Sequence, residues 1–124
     1  MDESLYDQVG GEGFFTRLVE HFYERVALDR TLRAMYPEDL TEPRRHLTLF
    51  LVQYWGGPRT YEQERGHPRL RMRHVPFRVT KSARDAWLVA MSDALDQLKG
   101  ELSAVQYEEL LSYFTMTANQ LRNV

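Results

Sequence analysis

The sequence predicts an all-α protein, and three observations support this prediction. Apolar residues recur at three- and four-residue steps along most of the chain, which is the period of an amphipathic helix. No stretch shows the sustained apolar–polar alternation of a half-buried strand. Residues that break or end helices, such as Gly10, Gly11, Pro37 and Gly100, separate the periodic segments. We therefore expect several helices of unequal length.

Length and composition limit the class of protein. At 124 residues with 43% hydrophobic content, the chain has the usual size of one domain, and we expect residues 1–124 to form a single one. The sequence has no cysteine, which excludes disulfide scaffolds, thiolate metal sites and a cysteine nucleophile. Neither a signal peptide nor an apolar run long enough for a membrane span is visible, so we expect a cytoplasmic protein without a membrane span.

The first two helices are delimited by a cap and a double glycine. Ser4 can cap a short helix that runs through Val9 and is broken by Gly10-Gly11. A second helix is expected from Glu12 to about Leu28. Its apolar face consists of Phe15, Leu18, Val19, Phe22 and Val26.

Two further helices are expected before the double glycine at positions 56 and 57. Asp29 is a plausible cap for a short helix that Pro37 stops. Thr41 is predicted to cap the next helix, with Pro43 in its first turn, where the missing N–H costs nothing. Apolar residues of that helix follow at helical spacing, namely Leu47, Phe50, Leu51 and Tyr54.

The region after this helix shows no apolar period. We expect residues 56–67 to form a polar loop. A very short helix follows, with Pro68 at its first position, Leu70 and His74 one turn apart on one face, and Pro76 preventing continuation.

The C-terminal third predicts two long helices. Thr80 or Ser82 opens the first, and Gly100 stops it. Ser103 and Gln106 form a capping box for the last helix. The apolar faces of the two helices contain Trp87, Met91, Ala94, Leu95 and Leu98, then Tyr107, Leu110, Leu111, Phe114, Ala118 and Leu121.

The charge is nearly balanced overall but not along the chain. The net charge of −2 argues against a general polyanion binder. Half of the basic residues nevertheless fall within residues 59–84. They are Arg59, Arg65, Arg69, Arg71, Arg73, Arg78, Lys81 and Arg84. This segment is interpreted as a solvated face, as a site for a small anionic ligand or, as a remote alternative, as the nucleic-acid-binding element of a small helical module.

His74 is the first candidate for chemistry. It lies on the apolar face of a very short predicted helix, where the Leu70 carbonyl is within reach of its Nδ1–H. That bond would fix the tautomer and direct Nε2 inward as a metal ligand. A histidine satisfied within the core is the other interpretation of the same pattern, and no second histidine completes a metal pair.

Polar-tipped aromatic residues are the second candidate feature. Tyr23, Tyr36 and Trp87 occur on or beside apolar faces, where a buried hydroxyl or indole N–H needs a partner. The three donors could converge on one acceptor, or each could bond to a backbone carbonyl. No phosphate-binding glycine loop or serine nucleophile motif accompanies them.

Several motifs together resemble those of one family. They are Gly10-Gly11, Phe22-Tyr23, the run from Met35 to Asp39, the QYWGGP run at 53–58, the block from His67 to Phe77, and Trp87 thirteen residues after His74. Over essentially the whole chain, the sequence resembles the truncated haemoglobins of group II, the O-type of bacteria.

The resemblance implies a two-over-two helical sandwich around one haem b, with iron as the metal. His74 matches the proximal iron ligand, and Tyr23, Tyr36 and Trp87 match the distal hydrogen-bonding triad. Pro43 falls where many globins have a distal histidine or glutamine, so the resemblance assigns that task to the three aromatics.

Other haem contacts follow from the same match. Leu47, Phe50 and Leu51 match apolar haem-facing positions of the distal helix, and Phe77 and Met91 are expected to line the wall of the haem pocket. His46, Tyr61 and Arg73 are expected near the haem propionates, which form a small dianion.

The resemblance implies a globin that reversibly binds O₂, NO, CO or a similar diatomic ligand, with an oxygen-carrier role and slow O₂ release. The alternative is a redox enzyme, such as a nitric oxide dioxygenase or a peroxidase-like protein, served by an external reductase. No nucleic-acid partner is expected. Family members often self-associate, so a homo-oligomer is among the expectations, although no heptad seam indicates an interface.

Overall fold

The computed structural model describes residues 3–124, and in that range it is helical without strands, as the sequence predicts. No helix in that range is both long and apolar enough to cross a membrane. The α-helices are α1 (Leu5–Gln8), α2 (Glu12–Leu28), α3 (Arg30–Arg33), α4 (Thr41–Tyr54), α5 (Thr60–Arg65), α6 (Leu70–His74), α7 (Lys81–Gln97) and α8 (Ala104–Leu121). A 3₁₀ turn, Lys99–Glu101, connects α7 to α8.

The four long helices form two packed pairs. Helix α2 packs against α4 and against α7, and α7 packs in turn against α8. The two pairs, α2 with α4 and α7 with α8, give the expected two-over-two sandwich. The short helices lie at its margins, where α3 touches α2 and α7, α5 touches α4, and α6 touches α8.

Aromatic side chains dominate the core between the pairs. Phe14, Phe15 and Phe22 of α2 are fully buried, and Phe114 of α8 is nearly so. The Phe22 ring lies 5.4 Å from Trp87 of α7, and the Trp87 ring lies 5.9 Å from Phe114. This row of rings joins the two pairs, because it carries contacts from α2 through α7 to α8.

Most predicted helix ends are confirmed. The Ser4 side chain accepts the Asp7 N–H at 3.2 Å, and Asp29 accepts that of Leu32 at 3.0 Å. The capping box is also present. Thr80, rather than Ser82, caps α7 by accepting the Ala83 N–H at 3.1 Å.

Two predictions near α4 are wrong. Thr41 is the first residue of α4 and not its cap; its own N–H is accepted by the Asp39 carboxylate at 2.9 Å. The expected loop over residues 56–67 contains helix α5. This helix has only one buried side chain, Tyr61, so it shows no apolar period. The Gln53 side chain instead accepts the Glu62 N–H at 2.8 Å and supports its first turn.

The expected start of α6 is also wrong. The helix begins at Leu70, so Pro68 lies outside it. The residue between them, Arg69, has a φ of 44°, in the left-handed region that non-glycine residues rarely occupy. Its N–H is accepted by His67 Nδ1 at 3.1 Å, which helps to hold this conformation. Helix α6 is therefore shorter than expected, with five residues.

Gly57 provides a test of packing at the end of α4. A Cβ at this position would lie 2.7 Å from both Tyr6 Cε2 and Val52 Cγ1. We expect Gly57→Ala to reduce the free energy of unfolding by about 1–3 kcal/mol, since overpacking forces neighbours to move. Urea unfolding would measure this change in the free energy of unfolding. Gly13→Ala is the matched control: Gly13 is helical with open space at its Cβ, so a gain of about 0.5–1 kcal/mol is expected. Equal effects of the two substitutions would contradict the packing argument.

Candidate haem site

The His74 side chain has the geometry expected of an axial ligand. Its Nδ1 lies 2.7 Å from the Leu70 carbonyl oxygen, one turn back in α6. Because a carbonyl only accepts, Nδ1 carries the proton and Nε2 keeps a free lone pair. Within residues 3–124, no three histidine or acidic side chains gather into a cluster that could hold a metal ion by themselves. A single histidine with an oriented Nε2 suits a metal that arrives already held by a macrocycle.

The three predicted aromatic donors come together. The rings of Tyr23 and Tyr36 meet edge to face at 5.5 Å between centroids. Tyr23, on α2, is almost completely buried, and Tyr36 follows α3. Trp87 of α7 completes the group through its contact with Phe22, the neighbour of Tyr23. Two helices, α2 and α7, and the segment after α3 thus contribute polar aromatic side chains to one region.

Burial controls the electrostatics of the two tyrosines. It raises the pKa of Tyr36, whereas hydrogen-bond donation toward the Tyr36 oxygen from Tyr23 and Trp87 acts in the opposite direction. Burial also raises the pKa of Tyr23, and the nearby Tyr36 reinforces that rise. Both phenols are therefore neutral donors at ordinary pH. An indole N–H only donates, so Tyr36 acts as the acceptor toward Trp87.

The residues predicted near the propionates also come together. Arg65, which the sequence analysis did not assign to this site, lies between them. Its Nη1 is 3.0 Å from His46 Nε2, and its guanidinium is 5.8 Å from the Tyr61 ring centroid. The Arg73 guanidinium lies 6.0 Å from the centroid of the same Tyr61 ring. The result is a group of cations and a phenol at the α4–α5–α6 junction, suited to a small dianion.

Arg73 has a second task in the structure. Its Nε donates to the Pro68 carbonyl at 2.7 Å and its Nη2 donates to the Arg65 carbonyl at 2.9 Å. These bonds hold the segment that leads into α6.

Burial and the positive charge of Arg65 lower the pKa of His46, so this histidine is mainly neutral near pH 7.

The predicted apolar contacts divide into two groups. Phe50, Leu51 and Met91 are buried, and Leu47 is partly buried against the core. Phe77, in contrast, is 47% exposed, with its ring centroid 6.3 Å from that of His74. Large apolar side chains are also exposed nearby at Met72 and Val75. Apolar surface beside an oriented histidine is what a porphyrin face requires, so these residues fit the haem implied by the sequence.

Comparison with known proteins decides the family. The bacterial-like globin family model matches residues 4–123. The chain belongs to the bacterial-like globins.

The relatives of this globin are truncated haemoglobins. A group 2 truncated hemoglobin of Bacillus subtilis is 45% identical over 115 residues, covering 91% of this chain and 84% of the relative. A thermostable hemoglobin from Thermobifida fusca gives a TM-score of 0.95 at 50% identity and covers 98% of each chain. The structure described as a truncated oxygen-avid haemoglobin from Bacillus subtilis gives 0.90 at 42%, covering 98% of this chain and all of that one. This globin is thus of group II, and its family implies a haem cofactor and diatomic ligands.

Two residues of the site were missed from the sequence. Arg65 was counted only as part of the basic segment, and its charge pattern gave no reason to choose it over Arg69 or Arg71. Asn123, near the C-terminus, hydrogen-bonds to the segment that follows His74. No local sequence signal marks it, because these partners lie more than 40 positions away.

Alkaline pH should destabilise this globin through its buried phenols. Burial raises the pKa of Tyr113 to about 12, whereas the unfolded chain releases this proton near 10. The unfolded state therefore binds fewer protons above pH 10, and the stability contributed by this burial is lost as pH rises through about 12. We expect the urea midpoint to fall between pH 9 and pH 11, and to fall less steeply in Tyr113→Phe. Identical slopes for the two proteins would contradict this assignment. Lys81 and Lys99 are the only lysines, and the other tyrosines that titrate in this range are common to both proteins.

Proposed function

We propose that this globin uses haem b to bind O₂ and similar diatomic ligands reversibly, and that it releases O₂ slowly. The observation that carries the proposal is the His74 geometry, with Nδ1 bonded to the Leu70 carbonyl at 2.7 Å. Its Nε2 would coordinate the iron on the proximal side. The carbonyl partner fixes the ring orientation and raises the basicity of the ligating nitrogen.

Haem held by His74 would supply an iron that binds O₂, a ligand that hydrogen-bond donors stabilise. The three aromatics would provide such donors. Donation from Tyr23 and Trp87 toward the Tyr36 oxygen, which acts to lower the pKa of Tyr36, would leave the hydroxyl proton of Tyr36 available to donate. Donation into its oxygen also polarises the Tyr36 O–H bond, which strengthens it as a donor. We assign the principal contact with the ligand to Tyr36, and its orientation to Tyr23 and Trp87.

Pro43 supports this division of tasks. It occupies the first turn of α4, and its side chain has neither donor nor acceptor. A ligand-stabilising hydrogen bond would therefore come from the aromatic donors and not from this position of α4. The description of the Bacillus subtilis relative as oxygen-avid agrees with slow O₂ release in a protein of the same group.

The cationic group beside α5 is proposed to hold the haem propionates. His46, Tyr61, Arg65 and Arg73 offer N–H and O–H donors on one side of the site. Hydrogen bonds from cations to carboxylates are the stronger kind, so they would fix the in-plane orientation of the haem.

A redox function is the second candidate, and the same distal donors favour it. Neutral donors above a reactive oxygen stabilise charge that develops there, as oxidation of nitric oxide or cleavage of a peroxide requires. Repeated turnover needs electrons from an external reductase. Sustained NO consumption with a reductase and NAD(P)H would favour the enzyme, whereas a single stoichiometric oxidation agrees with either function.

The first test is spectroscopic. We expect purified, haem-reconstituted protein to give a sharp ferrous–CO Soret band, and a pyridine haemochrome spectrum typical of haem b. Stopped-flow displacement of O₂ by CO should then give a slow O₂ dissociation rate. Failure to take up haem would refute the proposal at its base, and rapid O₂ release would refute the role of the aromatic donors.

A further inference from the structure

The residues that follow α8 return to the proximal side of the site. Asn123 lies beside the segment from His74 to Val79 and forms four hydrogen bonds with it. Its backbone N–H donates to the Val79 carbonyl at 3.0 Å, and its side-chain oxygen accepts the Val79 N–H at 2.9 Å. Its Nδ2 donates to the carbonyls of Phe77 at 2.9 Å and of His74 at 3.3 Å. One residue thus bonds to both ends of the segment.

The partners determine which way the Asn123 amide faces. Val79 offers an N–H, so the side-chain oxygen must face it. The carbonyls of His74 and Phe77 only accept, so the NH₂ group must face them. A flipped amide would lose all three bonds, and therefore the network itself fixes the orientation.

Helix α6 needs such support because it has no buried side chain of its own. A helix of five residues gains little from its internal hydrogen bonds, and this one has no apolar anchor in the core. Hydrogen bonds to neighbouring segments therefore hold it at both ends. Within the helix, Arg73 bonds to the preceding segment through the carbonyls of Pro68 and Arg65. Asn123 acts after it, through the His74 carbonyl.

We propose that Asn123 is a positioning residue for the proximal ligand His74. It holds the backbone of His74 and of the following turn against the end of α8, and thereby sets the height and tilt of the imidazole. The inference rests on the proposed function, because it assigns iron ligation to His74. It extends that function to a residue 49 positions away, which bonds to the His74 backbone carbonyl.

Two substitutions separate the parts of this network. Asn123→Asp has almost the same shape and keeps the oxygen that accepts the Val79 N–H, but it replaces the donor with a carboxylate oxygen facing two carbonyls. Asn123→Ala removes every side-chain bond and keeps the backbone N–H. Asn119→Ala is the matched control: Asn119 lies one turn earlier on α8 and bonds to Arg84 Nη1 at 3.1 Å, away from His74.

The experiment combines two measurements on haem-reconstituted protein. Resonance Raman of the ferrous, ligand-free form reports the iron–histidine stretching band, which depends on the tilt and strain of the imidazole. Amide hydrogen exchange at Val79 reports whether the bond to Asn123 is present. We expect the Raman band to shift or broaden in both Asn123 variants and to stay unchanged in Asn119→Ala. Val79 exchange should accelerate about fivefold in Asn123→Ala, as for the loss of one hydrogen bond, and much less in Asn123→Asp.

An unchanged iron–histidine band in both Asn123 variants would overturn the positioning role while leaving His74 as the ligand. Unchanged Val79 exchange in Asn123→Ala would overturn the tether itself. Absence of an iron–histidine band from the wild-type protein would instead overturn the proposed function, and the positioning role with it. The two failures are therefore distinguishable in the same data.

Discussion

His74→Gly is expected to abolish normal haem attachment. Removal of the imidazole would leave the haem iron without the protein ligand that we propose, and the Leu70 carbonyl would lose the Nδ1–H donor. Substitution of a residue that only hydrogen-bonds to a metal ligand lowers the metal affinity by about 10- to 100-fold. Loss of the ligand itself should therefore accelerate haem dissociation by more than about 100-fold. Transfer of haem to a scavenging apoglobin, followed in the Soret region, measures this rate. The ferrous–CO Soret band of any retained haem should also be displaced.

Added imidazole separates a lost ligand from a damaged fold. Millimolar imidazole can occupy the space left by the glycine, so we expect it to restore much of the wild-type spectrum. His21→Ala is the control, since His21 lies on α2 and takes no part in the Arg69 turn or in α6. If His21→Ala lost haem as readily as His74→Gly, or if His74→Gly kept the wild-type spectrum without imidazole, the assignment of His74 as the iron ligand would fail.

Tyr36→Phe is expected to accelerate O₂ release more than any other single distal substitution. A hydrogen bond to a charged acceptor contributes about 1.5–3 kcal/mol, which corresponds to roughly 10- to 100-fold in the dissociation rate if the association rate is unchanged. Trp87→Phe should have a smaller effect of the same sign, because we propose that its indole acts through the Tyr36 oxygen. CO-displacement kinetics with O₂-saturated ferrous protein measure both rates.

The double variant tests whether the two residues act together. Since Trp87 is proposed to polarise Tyr36, its removal should matter much less once Tyr36 is phenylalanine, and the two effects should not add. Tyr54→Phe is the control, because Tyr54 is half exposed and belongs to a different aromatic contact with Tyr113. Additive effects, or wild-type rates in both single variants, would refute the proposed network.

Sequence pattern predicted the long helices well and the short ones poorly. Helix α2 runs from Glu12 to Leu28, as its apolar face and the preceding glycines indicated. Helix α5 was missed because its one buried residue, Tyr61, cannot create a period. The start of α6 was misplaced because it depends on a left-handed Arg69, a conformation that a local turn stabilises and that no residue-type preference predicts.

The candidate site shows the same division. The His74–Leu70 bond was predictable because both partners belong to one helical turn. The meeting of Tyr23 with Tyr36 depends on packing between segments; the residue types alone left it as one of two alternatives, and the family resemblance favoured it. Asn123 could not be found by either route, because its partners lie far away in the chain and it matches none of the motifs that carried the resemblance.

The lack of any buried side chain in α6 separates two kinds of durability in this globin. The core between α2, α4, α7 and α8 governs unfolding of the polypeptide, whereas we expect release of the haem to depend mainly on the five-residue segment that carries its proposed ligand. A substitution that improves the phenylalanine core should therefore raise the melting temperature of the haem-free protein and leave the lifetime of the haem complex almost unchanged. Resistance of the polypeptide to heat and retention of haem can thus change separately in this globin.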